Sequence, residues 1–310
     1  METEFVEWLL RRIPADPRLE VPPGDDAAVI RPPSGRRTVV TADMLMEGTD
    51  FVLGPGCPPQ AVGHKALAVS LSDLAAMGAR PEAVVVAVAL PRDGGDAIGR
   101  GLHEGLAALA AAHAVTLAGG DTNAWDGPLV VSTTAIGSVL PGRAWRRDGA
   151  RPGDLLVVTG PCGGSLLGRH LAVAPRCREA LAIAEHHDVH AAIDVSDGLS
   201  LDLSRMMAAS GTAAVVDLAS VPVHADAVLL AARAADGRSP LDHALADGED
   251  FELLLALPET DARTLVARPP PGIAPTIIGV VEAGAGLVAV DGSGIRRPFE
   301  PRGFVHDFNG

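Results

Sequence analysis

The pattern of apolar and polar positions predicts a chain of alternating helices and strands. Residues 59–77 are apolar almost all the way round, as in a buried helix, and short apolar runs between turn residues are typical of strands. Because the alternation lacks a strict βα period, we predict a mixed α/β (α+β) class. Helices are predicted at residues 4–13, 59–77, 96–113, 176–187, 199–209, 224–235 and 260–267. Strands are predicted at residues 27–30, 38–42, 83–90, 115–118, 129–139, 155–159, 191–195, 213–217, 251–257 and 276–281.

A polar, turn-rich segment, PGRAWRRDGARPGD, separates the two halves of this pattern. The chain has 310 residues, of which 47% are hydrophobic, so it is long enough for two domains with separate cores. We therefore predict an N-terminal domain over residues 1–141 and a C-terminal α/β domain over residues 142–310.

The helix predicted at residues 59–77 carries a carboxylate where its pattern is apolar. At about 100° per residue, Asp73 shares a face with Val62, Ala66 and Val69. A buried and unpaired charge is costly, so Asp73 should either pair with an arginine or hold a metal ion. The helix itself leaves both alternatives open.

Charge and cysteine content narrow the class of protein. The net charge of −14 argues against a nucleic-acid partner, whose phosphates attract basic surfaces. No apolar run is long enough for a membrane span, and no signal-peptide core is found at the N-terminus. Cys57, Cys162 and Cys177 lack metal-binding and secreted-disulfide spacings, so we expect a cytoplasmic protein. The single lysine, Lys65, stands outside any GxxxxGK[ST] phosphate loop, which excludes that motif.

Acidic residues recur in turn motifs next to predicted strands. The motifs are GDD, TAD, GGD, DVSD and GED. Hard cations such as Mg²⁺ take oxygen ligands, usually a few carboxylates with water and substrate phosphates. The recurrence of these motifs favours a magnesium site over a set of unrelated turns. The carboxylates concerned are Asp25, Asp26, Asp43, Asp121, Asp194, Asp197, Glu249 and Asp250.

Each motif also has a structural interpretation. Ser196 or Asp197 could cap the following helix, and the GDD and GED stretches could be plain turns. The histidines of EHHDVH (185–190) lack the convergence of a zinc site and are predicted to lie at a solvated helix end. The glycine-rich stretch GPCGGSLLG (160–168) could hold a phosphate with its backbone N–H groups, whereas Ser165 lacks the context of a hydrolase nucleophile.

Taken together, these motifs resemble the thiamine-monophosphate kinase family, in the superfamily of aminoimidazole ribonucleotide synthetase and selenophosphate synthetase. The matching pieces follow in order through nearly the whole chain, and the combination of LSDLAAMGA with SDG and GED is quite specific. They are GDDAAV (24–29), TADMLMEGTDF (41–51), KALAVSLSDLAAMGARP (65–81), GGDT (119–122), GARPGD (149–154), IDVSDGLSLDL (193–203), GEDFELL (248–254) and RGFVHDF (302–308).

The resemblance implies an enzyme that transfers the γ-phosphate of ATP to thiamine monophosphate, giving thiamine diphosphate. It implies a homodimer of two-domain subunits, with ATP, metal and the dimer interface on the N-terminal domain and several Mg²⁺ ions between the substrates. The implied catalytic metal ligands are Asp25, Asp43, Asp73, Asp121 and Asp197, with Thr41 and Asp194 assisting as further ligands. The implied ATP contacts are Gly120, Asp121, Arg147 and Ser196, and the implied thiamine-phosphate contacts are Asp50, Glu249 and Phe304.

The implied reaction needs no catalytic histidine or cysteine. The attacking phosphate oxygen is already anionic, and the obstacle is repulsion between anions, which metal ions relieve. The chain departs from the family on the acceptor side, because Asp50 stands where histidine is common and Asn123 follows GGDT. Two alternatives therefore stay open: an ATP-dependent synthetase or kinase of the same superfamily with another acceptor, and a non-catalytic nucleotide-binding regulator.

Overall fold

The structure, a computed structural model, describes residues 2–24, 27–233 and 236–305. The chain forms two compact units, and its class is mixed α/β, as predicted. Among the described helices, none has both the length and the hydrophobicity needed to cross a bilayer. We propose that the boundary between the two domains lies between residues 141 and 142. The first unit comprises Met1–Leu74, Ala79–Arg143 and Leu171–Cys177, and the second comprises Ala75–Gly78, Ala144–His170 and Arg178–Gly310.

The first unit is an open sheet accompanied by helices. Its helices are α1 (Glu2–Leu10), α2 (Pro59–Ala76) and α3 (Gly95–Ala112). Its strands are β1 (Leu19–Val21), β2 (Val29–Ile30), β3 (Arg37–Met46), β4 (Arg80–Pro91), β5 (Thr116–Trp125) and β6 (Val130–Val139). The main sheet has the order β3-β6-β4-β5, in which β4 and β5 run parallel and the other neighbours are antiparallel.

Helices α2 and α3 cross each other at glycines. A Cβ added at Gly63 would lie 1.9 Å from the carbonyl oxygen of Leu102, and one at Gly105 would lie 1.8 Å from that of Gln60. Since no other residue permits these approaches, the glycines fix how the two helices lie together. As predicted, α2 is buried almost all the way round.

Strand β3 alternates between the two faces of the sheet. Val40 and Met44 are 61% and 59% exposed on one face, whereas Thr41, Asp43 and Leu45 are less exposed and lie on the other. The side that carries Asp43 is the side covered by α2, because α2 contributes a hydroxyl that bonds to this carboxylate.

Two predicted strand ends are wrong. The strand expected to end at residue 42 continues to Met46, and the strand expected to end at residue 118 continues to Trp125. Asp43 and Asp121 therefore lie within strands instead of just after them. The backbone pairing of β3 with β6 and of β5 with β4 continues past both carboxylates, because side chains project out of the ladder and do not interrupt it.

The second unit is built on a larger sheet. Its helices are α4 (Cys177–His186), α5 (Leu199–Ser210), α6 (Ala225–Arg233), α7 (Pro240–Ala246) and α8 (Glu259–Ala267). Its strands are β7 (Leu155–Val158), β8 (Ala191–Asp194), β9 (Ala213–Asp217), β10 (Leu253–Leu257), β11 (Thr276–Glu282), β12 (Gly286–Val290) and β13 (Arg296–Phe299). The order is β13-β12-β9-β11-β7-β10-β8, and a continuous core of buried aliphatic side chains lies against it.

Several elements of the second unit differ from the prediction. Helix α7 was not predicted, since seven residues are too few for a clear period, and it starts at a capping box formed by Ser239 and Asp242. Strands β12 and β13 were not predicted either. Strand β10 begins at Leu253 instead of residue 251, because Glu249 and Phe251 have left-handed backbones with φ of 54° and 53°.

Candidate functional site

Asp43 and Asp73 lie close together in the first unit. Asp43 is on β3, Asp73 is on α2, and both are half-buried. The Thr41 hydroxyl donates a hydrogen bond to Oδ2 of Asp73, and the Ser70 hydroxyl donates one to Oδ2 of Asp43 at 2.6 Å. Asp73 therefore lies on the side of α2 that faces β3, where side-chain oxygen atoms of both elements come together.

This group has the donor chemistry of a magnesium site. Burial, and next the negative charge of Asp73, raise the pKa of Asp43 to about 6. Crowded carboxylates of this kind suit Mg²⁺, which proteins usually hold through one or two carboxylates together with water and phosphates. No group of three or more His, Cys, Asp or Glu side chains suited to a metal occurs in the described part of the chain. Asp25, another predicted ligand, lies outside the described residues.

We expect the burial of Asp43, next to the charge of Asp73, to destabilise the metal-free protein at high pH. The pKa of Asp43 is about 6 in the folded state against an ordinary 3.8, so folding strengthens proton binding. The resulting stability is complete below pH 3.8 and is lost as the pH rises through 6. In EDTA, Asp43→Asn should therefore raise the free energy of unfolding by about 1–3 kcal/mol more at pH 8 than at pH 4. Urea denaturation at both pH values measures this, and an equal effect at both would contradict it.

Asp121 and Gly120 line a cavity in the first unit. The cavity has a volume of about 630 Å³, and its walls come mainly from α1, α3, β4 and β5. Most of the lining is apolar, and Asp121 and Thr122 add polar groups from β5. A mostly apolar cavity of this size with a few polar groups is typical of a site for a small organic ligand.

His103 lines the same cavity and was missed by sequence reasoning. It lies on α3, and its ring meets that of Trp8 edge to face, with 5.4 Å between centroids. Burial, and next the charge of Arg12, lower the pKa of His103, which favours a neutral ring. A lone histidine in a helix carries no motif, so only its place in the cavity identifies it.

Asp50 lies just after β3, in a segment that is fastened to the buried lysine. Its Oδ2 accepts a hydrogen bond from the backbone N–H of Met46 at 2.7 Å, and its carbonyl oxygen accepts one from Nζ of Lys65 at 2.7 Å. Lys65 is 0% exposed. In the sequence, Lys65 served only to exclude a phosphate-binding loop. In the structure, its buried ammonium group stabilises the segment that carries Asp50, through the hydrogen bond to the carbonyl of that residue.

The second unit brings together the predicted residues of the DVSD and GED motifs and of the C-terminal stretch. Asp194 ends β8, and Ser196 and Asp197 follow it before α5. The backbone N–H of Glu249 donates to the carbonyl of Ser196 at 2.7 Å, and that of Phe304 donates to the carbonyl of Asp197 at 2.8 Å. These residues therefore lie side by side, although their motifs are far apart in sequence.

The left-handed backbone around Glu249 is held by a buried anchor. Asp250, between the left-handed residues 249 and 251, has both carboxylate oxygens 2.9 Å from the N–H of Gly163, and Oδ1 also accepts from Arg169 at 2.9 Å. Non-glycine residues in this region of φ cost roughly 1–3 kcal/mol each, so the surrounding bonds must hold them in place. Such strain is common at functional sites, so the backbone of Glu249 is consistent with the role predicted for it.

The glycine-rich stretch 160–168 has two of its backbone N–H groups bonded to carboxylates of the chain itself. The N–H of Gly163 points at Asp250, and the N–H of Gly164 donates to Oδ2 of Asp247 at 2.9 Å. A phosphate would have to displace both carboxylates to use these groups. The stretch is therefore an internal turn at these glycines, and the alternative of a phosphate cradle is not supported there.

Other predicted residues lie apart from this group. The carbonyl of Arg147 accepts a hydrogen bond from Ser210 at the C-terminal end of α5, whereas Ser196 precedes its N-terminal end. A helix of 12 residues is about 18 Å long, so the backbones of Arg147 and Ser196 are well separated within this unit. In the EHHDVH stretch, His187 contacts Asp261 and His190 contacts Asp154, and both rings are largely buried instead of solvated.

Comparison with known proteins places the chain in a family. Family models of the AIR synthase related protein match it, the N-terminal domain over residues 24–139 and the C-terminal domain over residues 151–292. The thiamine-monophosphate kinase of Rhodopirellula baltica is 41% identical, over 99% of this chain and 97% of the relative. The thiamine-monophosphate kinase of Salmonella typhimurium is 34% identical, over 91% of this chain and 90% of the relative.

Solved structures show the same fold. Thiamine-monophosphate kinase from Stenotrophomonas maltophilia K279a has a TM-score of 0.79 at 34% identity, covering 92% of this chain and 94% of that one. AaThiL complexed with AMPPCP and TMP has a TM-score of 0.76 at 25% identity, covering 97% and 94%. The chain therefore belongs to the AIR synthase related protein family, among its thiamine-monophosphate kinases.

Proposed function

We propose that this protein transfers the γ-phosphoryl group of ATP directly, in line, to thiamine monophosphate, giving thiamine diphosphate and ADP with the help of Mg²⁺. Relatives named thiamine-monophosphate kinase support the reaction, and the AaThiL complex with AMPPCP and TMP supports the pair of substrates. As a member of this family, the protein is a phosphotransferase with a phosphate group as acceptor.

The observation that carries the proposal is the pair Asp43–Asp73 with its hydroxyl partners. Thr41 and Ser70 orient the two carboxylates, and a cation bound there would offset the burial and the charge of Asp73 that raise the pKa of Asp43. Bound there, Mg²⁺ would neutralise phosphate oxygens and so weaken the repulsion between the two anionic substrates. Two half-buried carboxylates that repel each other are unfavourable in an ordinary protein core, and a bound cation would make the arrangement favourable.

The cavity beside Gly120 and Asp121 is the place we assign to the nucleotide. Its apolar walls and the neutral ring of His103 suit a flat heterocyclic base, which they would shield from water. The exposed Asp121 carboxylate marks the polar side of this cavity, and we assign it to the metal that accompanies the phosphates. Arg147 and Ser196 remain proposed contacts of ATP, and Asp25, Asp194 and Asp197 remain proposed metal ligands.

The acceptor is assigned to Asp50, Glu249 and Phe304. Thiamine carries a cationic thiazolium ring, which carboxylates attract and an aromatic face can contact. Phe304 is 49% exposed beside the backbone of Asp197, and the backbone N–H of Glu249 is bonded to the carbonyl of Ser196. The acceptor phosphate is anionic at neutral pH, so these residues have to position it and need not remove a proton.

An assay of thiamine diphosphate tests the proposal. Purified protein is incubated with MgATP and thiamine monophosphate or, in parallel, with unphosphorylated thiamine. Products are oxidised to thiochromes and separated by chromatography with fluorescence detection. We expect thiamine diphosphate in the reaction that contains thiamine monophosphate and not in the reaction that contains thiamine. Addition of EDTA should abolish its formation. ADP formation without thiamine diphosphate would overturn the assignment of the acceptor.

Neutralising Asp50 should weaken acceptor binding selectively. Asp50→Asn keeps an oxygen that can accept the hydrogen bond of Met46, so the turn is preserved while the charge is lost. We expect the KM for thiamine monophosphate to rise about tenfold, which corresponds to about 1.4 kcal/mol, with the KM for ATP unchanged. Steady-state kinetics measures this, and an unchanged KM for thiamine monophosphate in Asp50→Ala as well would remove Asp50 from the acceptor site.

We also propose that the protein is a homodimer of the cytoplasm. The exposed face of β3, with Val40, Met44 and Met46 at 61%, 59% and 42% exposure, supports an interface on the first unit's sheet. The free cysteines Cys57 and Cys162 are buried thiols, as suits a reducing compartment.

A further inference from the structure

The loop between β8 and α5 has its carbonyl groups fixed by partners from outside. The carbonyl of Ser196 accepts from Glu249, and that of Asp197 accepts from Phe304. The carbonyl of Gly198 accepts from the backbone N–H of Asp202 at 2.9 Å, in the first turn of α5. The acceptors of residues 196–198 are therefore all engaged.

The N–H groups of the same residues converge on the side chain of Asp202. Its Oδ2 accepts from the N–H of Ser196 at 3.1 Å, of Asp197 at 2.9 Å and of Gly198 at 3.1 Å. Asp202 is 1% exposed, and hydrogen bonds to a buried carboxylate are stronger than those between neutral groups. The helix start, which would otherwise attract an external anion, is thus filled by the chain's own carboxylate.

Arg205 connects this anchor to the carboxylate of Asp197. Its Nη1 donates to Oδ1 of Asp202 at 2.8 Å and also to Oδ2 of Asp197. Asp197 is therefore held twice, by its backbone N–H through Asp202 and by its side chain through Arg205. Asp202 contributes to both restraints, because its carboxylate accepts from the loop N–H groups and also holds the arginine that contacts Asp197.

We propose that Asp202 is a positioning residue that sets the orientation of Ser196 and Asp197 for phosphoryl transfer. This inference rests on the proposed function, in which Asp197 binds metal and Ser196 binds ATP. Asp202 acts through the loop, since its oxygens are already engaged by residues 196–198 and by Arg205. Asp202 lies within the stretch IDVSDGLSLDL, but the sequence alone does not indicate this role, because the role depends on N–H groups that converge on the side chain only in the folded chain.

Two substitutions at this position separate its contributions. Asp202→Ala removes every acceptor of the loop N–H groups. Asp202→Asn keeps one oxygen for them but loses the charge that holds Arg205. Asp217→Asn is the matched control, because Asp217 also accepts a backbone N–H, that of Ala219 at 3.0 Å, at a turn away from these motifs. Thermal unfolding establishes that each variant is folded.

The variants are compared by metal binding and by kinetics. Mn²⁺ serves as a paramagnetic probe, and electron paramagnetic resonance measures its binding without turnover. We expect Asp202→Ala to weaken Mn²⁺ binding about tenfold and to lower kcat about 100-fold, while the KM for thiamine monophosphate changes by less than about threefold. Asp202→Asn should give a smaller loss in the same two quantities, and Asp217→Asn should behave as wild type.

Wild-type Mn²⁺ binding in a folded Asp202 variant, with a loss of kcat no larger than that of Asp217→Asn, would overturn the inference. If Asp202→Ala does not fold, Asp202→Asn decides by the same criterion. If the wild-type protein makes no thiamine diphosphate, the proposed function fails, whereas the Mn²⁺ titration still decides the role of Asp202.

Discussion

Asp73→Asn should abolish turnover and leave the fold intact. Asparagine can still accept the hydrogen bond of Thr41, and the change removes a negative charge beside Asp43, so the metal-free protein should be no less stable. An amide is a poor ligand for Mg²⁺ compared with a carboxylate. We expect kcat to fall about 1,000-fold or more, equivalent to about 4 kcal/mol of transition-state stabilisation. Initial rates of thiamine diphosphate formation at saturating substrates measure the change.

Asp93→Asn is the control for this substitution. Asp93 is an exposed carboxylate in the turn before α3, so its neutralisation should leave kcat unchanged. Circular dichroism and thermal unfolding of both variants confirm that each is folded. Activity of Asp73→Asn within about threefold of wild type, a difference below about 1 kcal/mol, would refute the role of Asp73 as a ligand.

Gly120→Ala should disrupt the first unit as well as its activity. A Cβ at this position would lie 1.9 Å from the carbonyl oxygen of Val86 on the neighbouring strand. Atoms cannot approach so closely, so β5 would have to move away from β4 and carry Asp121 with it. We expect a loss of about 3 kcal/mol or more in the free energy of unfolding, and little residual activity. Urea denaturation without ligands measures the first effect.

Gly292→Ala is the matched control. A Cβ there has no neighbour within 4 Å, so stability and activity should stay close to wild type. If Gly120→Ala were as stable as wild type and merely bound ATP less tightly, Gly120 would act through the nucleotide alone. A structural role for Gly120 in the pairing of β5 with β4 requires a loss of stability in the absence of nucleotide.

The sequence predicted the class and most elements because their signals are local. Helices α2, α3 and α5 and strands β7 to β9 were recognised from periodicity and flanking glycines. The ends of β3 and β5 were wrong, because the extension of a strand depends on the neighbour it pairs with. Helix α7 and strands β12 and β13 were missed, because short elements take their stability from the sheet and core around them.

Residues of the candidate site also fall into two groups, those that the sequence predicted and those that only the structure identifies. Asp43, Asp73, Ser196, Asp197 and Glu249 were predicted as site residues because they stand in turn motifs or against a hydrophobic pattern that resemble those of the family, and their roles stay predictions. The supporting residues were not, since their importance comes from three-dimensional contacts. His103 is defined by a cavity, Lys65 by its burial against Asp50, and Asp202 by the N–H groups that converge on it. No spacing in the sequence distinguishes such residues from ordinary helical positions.

Phosphorus NMR of the whole reaction tests the central claim most directly. Protein, MgATP and thiamine monophosphate are mixed, and the resonances of ATP, ADP, thiamine diphosphate and inorganic phosphate are followed together. Direct transfer predicts that ADP and thiamine diphosphate appear in equal amounts, that inorganic phosphate stays absent, and that EDTA stops the reaction. Equal amounts of ADP and inorganic phosphate without thiamine diphosphate would contradict direct transfer, because the γ-phosphoryl group of ATP would then have gone to water and not to thiamine monophosphate.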